Sequence, residues 1–112
     1  MGLFGFKKDK PPKDTDSVAF KRYMAEKLNG KHIRYVIEKE ENYTERIIGR
    51  DGFLSISGDE FLVVGSGDVL FRAKIDSLSA WEFLSLQGVT LTAFDLIQGR
   101  ERTVLAYYVY HR

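Results

Sequence analysis

Four carboxylates fall within eight residues: Glu38, Glu40, Glu41 and Glu45. Such groups share acid–base work when burial or a close like charge drives their pKa values apart. Here Lys39 and Arg46 stand among them, around a turn. The sequence therefore places them at a solvated hairpin tip. The two histidines, His32 and His111, lie far apart and match no metal-ligand spacing; they read as solvent-facing strand residues. Gly65-Ser66-Gly67 looks like part of a phosphate loop but lacks the Gly-Lys-Ser/Thr step and the helix that complete one. With no cysteine in the chain, disulfides and cysteine-bound zinc are excluded. The pattern assigns no catalytic residue, no metal ligand and no cofactor, and the expectation is a protein that is not an enzyme.

Residues suited to contact are easier to find. Lys31, Arg34, Tyr35 and Tyr108 combine cations with aromatic rings, the equipment with which small barrels stack bases and follow phosphates. Tyr107 and Tyr108 must point to opposite faces of a strand, and residues 35–112 hold eight Lys/Arg against twelve Asp/Glu. Core packing is the first expectation for the tyrosines, and single-stranded nucleic acid is the alternative partner. Trp81, the only tryptophan, sits in an apolar segment with Phe83 and is the residue expected at a protein contact. The sharpest signal is N-terminal. Leu3, Phe4 and Phe6 precede Lys7, Lys8, Lys10 and Lys13. Apolar groups there can enter a headgroup boundary while each lysine near anionic lipid adds about 1 kcal/mol. So short a segment implies weak, reversible attachment. Phe6 stands where N-myristoylation wants Ser or Thr, so no lipid anchor is expected.

The elements that must position these residues form one domain. The chain has 112 residues, 44% hydrophobic and 29% charged, with a net charge of +1, a composition suited to a single core. Residues 1–34 hold nine Lys/Arg against four Asp/Glu, so an anionic partner would meet the N-terminal part. Residues 1–16, with Pro11-Pro12, are expected to be a flexible tail. Residues 17–112 are the folded domain. Asp16 or Ser17 caps a helix running to about Leu28, with Phe20, Met24 and Leu28 on one stripe and Asn29-Gly30 ending it. Short strands follow. Ile33, Tyr35 and Ile37 alternate with His32, Arg34 and Glu38, and Asp51-Gly52, Gly58-Asp59 and Gly65 to Asp68 read as hairpin turns. Residues 79–86 fit either a strand or, over 78–84, a helical turn. A closing strand occupies 103–110. No apolar run approaches the length of a membrane span, and no secretory signal is visible. The fold class expected is mainly β: one N-terminal helix packed on a meandering antiparallel barrel or sandwich of seven to eight strands.

From Ile47 to Tyr110, the order and punctuation of the strands resemble the small bacterial domains of the pleckstrin-homology and GRAM superfold. The residues that carry the resemblance are Asp59-Glu60-Phe61-Leu62-Val63-Val64 and Leu70-Phe71-Arg72-Ala73-Lys74-Ile75-Asp76-Ser77-Leu78. Those domains end in a helix that plugs an open barrel; this sequence ends in a strand, so the helix from about Ser17 would serve from the other end. Their basic phosphoinositide loop has no counterpart, because Glu40-Glu41 occupies the first hairpin. An Sm-like barrel, which opens with a helix, is the alternative. Function does not transfer on fold alone. The absence of catalytic groups and targeting signals, with the N-terminal tail, leads to the expectation of a cytoplasmic, non-enzymatic binding or scaffolding module of unknown ligand, peripheral to the inner membrane face through its tail. Its expected partners are protein and anionic membrane, with nucleic acid second.

Overall fold

The computed structural model describes residues 13–109. One helix, α1 (Val18–Leu28), packs on a seven-stranded antiparallel sheet: β1 (His32–Lys39), β2 (Glu45–Ser57), β3 (Glu60–Gly65), β4 (Asp68–Lys74), β5 (Ser79–Glu82), β6 (Gly88–Asp95) and β7 (Arg100–Tyr108). The order across the sheet is β4-β3-β2-β1-β7-β6-β5. A flat sheet of seven strands would hold β4 and β5 about 29 Å apart. They are joined only by a 3-10 turn (Ile75–Ser77) and Leu78, a linker that spans roughly 17 Å at most. The sheet must therefore roll, although its ladder stays open. Rolling buries Phe61, Phe71, Leu54, Leu91, Val63 and Val104 inside.

Helix α1 lies over the open side. The Ser17 hydroxyl accepts the Phe20 N–H at 3.1 Å and caps the first turn. Met24, Ala25 and Leu28 are buried, with Phe20 half-buried beside them. The far end is tied down by Asn29, whose side-chain oxygen accepts the Ile56 N–H, and by Gly30, whose N–H reaches the Leu54 carbonyl. Gly30 takes φ +88°, the left-handed turn-off that glycine tolerates.

Besides register shifts at Ile48 in β2 and Leu70 in β4, two departures from strict alternation shape the barrel. Asp51-Gly52 is not a turn: β2 runs through it, with Asp51 at φ +52°. The first half of β2 pairs with β1 and the second with β3, so these residues form the corner where the sheet bends. A side chain on Gly52 would overlap the Val64 carbonyl oxygen, which is why glycine stands there. The second departure is a bulge at Arg34. Ile33 pairs with Tyr108 but Tyr35 with Tyr107, so β1 carries an extra residue and its faces exchange. Val36 and Glu38 then point inward, whereas alternation from Ile33 had put Tyr35 and Ile37 there. The open reading of residues 79–86 resolves into strand β5 followed by a turn. Among the described residues no helix is long and apolar enough to cross a membrane.

Candidate functional site

Among the described residues three ionisable side chains are buried: Glu38 (1% exposed), Asp95 (0%) and Arg102 (4%). They come from β1, β6 and β7, each at an inward position flanked by apolar neighbours. Arg102 donates from Nε and Nη2 to the two Glu38 oxygens at 2.9 and 2.8 Å, and from Nη1 to Asp95 Oδ2 at 2.9 Å and the Leu70 carbonyl at 2.8 Å. Arg100 reaches Glu38 at 3.1 Å from the rim. Asp95 also accepts N–H groups from Arg72, Ile97 and Gln98. The Leu96 N–H donates to the Arg72 carbonyl at 2.7 Å. Three of these contacts, at the Leu70 carbonyl and at the Arg72 N–H and carbonyl, land on the free edge of β4. The cluster thus stitches that edge to the β6–β7 corner, where backbone pairing stops.

Its electrostatics follow from the geometry. The Arg102 guanidinium holds the Glu38 carboxyl below the ordinary carboxylate range, and Glu38 in turn raises Arg102. Burial works against charge on Asp95, but the Arg72 and Gln98 N–H groups and Arg102 outweigh it and keep its pKa low. No buried side-chain polar atom among the described residues lacks a partner. Carboxylates held this way stay ionised near neutral pH, and each of their four oxygens accepts from Arg102 or a backbone N–H. Above them lies an open cleft of about 890 Å³ between residues 38–43 and 100–103. Its lining alternates in sign: Glu40, Glu41 and Glu101 against Lys39 and Arg100. Glu38 is the correction to the sequence reading of a solvated tip. Glu40, Glu41 and Glu45 are at the surface, but the bulge turns Glu38 inward. The missed signal was parity: Arg102 shares its face with Val104 and Ala106, and Asp95 with Ala93 and Leu91.

The residues expected to meet partners gather elsewhere, at the end of the barrel where α1 finishes. Lys31 Nζ lies 4.9 Å from the Tyr108 ring centre, and the Tyr108 hydroxyl donates to Glu82 at 2.8 Å. Burial, followed by that carboxylate, pushes the Tyr108 phenol well above its usual value. Glu82 also pairs with Lys27 at 2.8 Å. On the opposite face of β7, Arg34 lies over Tyr35, Tyr35 stacks on Tyr107 at 4.7 Å, and Phe83 meets Tyr107 edge-on at 5.1 Å. Lys31 and Tyr108 are therefore one pair and Arg34 and Tyr35 another, separated by the sheet. They share an end of the barrel but form no single stacking platform.

Trp81 is half-exposed on the edge strand β5, its ring 5.8 Å from Phe20. Beyond it, the turn at residues 83–87 presents Leu84 (104% exposed) and Leu86 (68%) to solvent. Sequence reasoning missed these leucines, because their segment read equally as strand. His32 is exposed, and no group of three or more metal-ligating side chains meets among the described residues. Leu3, Phe4, Phe6, Lys7, Lys8, Lys10 and His111 lie outside the described residues; Lys13 is exposed. No family model, curated protein or solved structure matches this chain.

Proposed function

We propose that this protein is a non-enzymatic binding module that attaches weakly to anionic membrane surfaces and presents the Trp81 edge to a protein partner. The observation that carries the reading is the contrast between its polar and apolar groups. The buried charges satisfy one another and stitch the barrel, while large apolar side chains stand unburied at Trp81, Leu84 and Leu86. Other large apolar side chains are exposed too, Tyr43 and Phe94 among them. Exposed apolar groups clustered together mark contact surfaces, and Trp81, Leu84 and Leu86 follow one another along the β5 edge and its turn. The N-terminal run of Leu3, Phe4 and Phe6 with its lysines supplies the membrane half. A helix on a rolled seven-stranded sheet is in keeping with a domain of the pleckstrin-homology and GRAM type, with the helix contributed from the N-terminal side.

The test is co-sedimentation with phosphatidylserine vesicles, with and without residues 1–13. The intact chain is expected to pellet and the shortened one to pellet less; equal behaviour removes the tail from the account. Single-stranded nucleic acid is the competing partner. Binding that weakens steeply with salt and is lost on changing Lys31 or Arg34 would favour it.

A further inference from the structure

The turn between β5 and β6 breaks a local rule. Leu86 sits at φ +63°, a conformation that glycine or asparagine adopts readily and a bulky residue does not. The turn is nonetheless well held. The Phe83 N–H donates to the Gly88 carbonyl at 2.8 Å, the Leu86 N–H to the Phe83 carbonyl at 2.9 Å, and the Tyr108 N–H to the Gln87 carbonyl at 2.9 Å. A side chain on Gly88 would strike the Ala106 carbonyl and the Phe83 ring, so glycine there lets Phe83 seat against Tyr107. A rigid base thus projects two leucines outward instead of folding them in. Strain kept at a surface turn points to use.

The surroundings select the partner. Lys31 and Arg34 flank the base of this turn on either face of β7, each against a tyrosine ring, and neither is in an ion pair among the described residues. The nearby carboxylate, Glu82, takes Lys27 and the Tyr108 hydroxyl as its close partners, with the Lys31 charge acting on it from farther off. Apolar tips with a cation on either side match an anionic lipid surface, with leucines entering the acyl boundary and cations among the phosphates. We propose that the turn at residues 83–87 is a second membrane contact, inserting Leu84 and Leu86 into anionic bilayers while Lys31 and Arg34 meet the headgroups. This rests on the reading of the protein as a membrane-associated module, and it places the contact in the folded domain. The chain enters α1 at the other end of that 11-residue helix, about 16 Å away, a distance an extended tail can span.

Because the chain has no cysteine, Ser85→Cys in the full-length protein gives a single labelling site at the turn, with Asp76→Cys as a control beyond the other end of the barrel. With phosphatidylserine vesicles, a polarity-sensitive dye at Ser85 is expected to shift blue and be quenched by lipid-borne nitroxide, while the dye at Asp76 is unchanged. Leu84→Ser/Leu86→Ser should lower the vesicle partition coefficient by about tenfold or more, with an unaltered urea midpoint showing that the fold survives. Lys31→Glu/Arg34→Glu should lower it on anionic vesicles. If vesicles bind but the Ser85 dye does not respond and the leucine variant partitions normally, this contact is wrong while tail attachment stands. If no full-length protein binds vesicles, both fail. A dye shift that follows protein concentration without lipid assigns the turn to self-association and overturns the proposal.

Discussion

Arg102 carries the heaviest burden of any single side chain. Its guanidinium joins Glu38, Asp95 and the Leu70 carbonyl in the interior, so removing one member strands the others as buried charges. Glu38→Gln and Arg102→Met are each expected to cost about 3–5 kcal/mol at pH 7. The double variant should cost clearly less than their sum, since the Glu38–Arg102 pair is then removed together and only Asp95 is left without its arginine; urea unfolding of the four proteins measures it. The cluster also sets acid sensitivity. Glu38 and Asp95 have native pKa values below the ordinary range, so the unfolded chain takes up their protons first as pH falls. Their stabilisation is complete above about pH 5 and is lost as pH drops through the lower native values. The urea midpoint should decline over that acid window, and Glu38→Gln should flatten the decline. A midpoint independent of pH down to about 3 would contradict this linkage. The sequence hinted at this site through the parity of Arg102 and Asp95. It concealed Glu38, because an unseen bulge at Arg34 exchanged the faces of β1.

At the scale of elements, the helix and most strands follow from local pattern: the Ser17 cap, the apolar stripe of α1, and the turns at Gly58-Asp59 and Gly67. Asp51-Gly52 misleads because the same positive φ that makes a hairpin turn also makes a barrel corner. Only the tertiary approach of Val64 decides between them. Gly52→Ala should therefore destabilise by about 1–3 kcal/mol or more, a loss far beyond ordinary strand propensity. A change of only a few tenths would mean that the corner has room. The β5–β6 turn predicts the opposite sign. Leu86→Asn relieves left-handed strain at an exposed position and should raise stability by up to about 1 kcal/mol while weakening vesicle binding. A loss of stability on thermal or urea unfolding would show that the leucine is held for packing.

At the scale of the whole molecule, seven strands roll because a short linker joins the outermost two, and charged side chains fasten the seam that backbone pairing leaves open. Composition and turn spacing made this mainly β, helix-capped outline legible. The location of the proposed binding end was not, because it depends on the convergence of the α1 terminus, β1, β7 and the β5–β6 turn, which are far apart in sequence. The positive balance of residues 1–34 and the exposed leucines together are the grounds for the proposed attachment to anionic membranes. The most direct test is partition of the full-length chain onto phosphatidylserine vesicles and onto neutral phosphatidylcholine vesicles, across a salt titration. Preferential binding to the anionic vesicles that declines with salt is the predicted result. Protein left in the supernatant at every salt concentration, or equal binding to both lipids, would contradict the account.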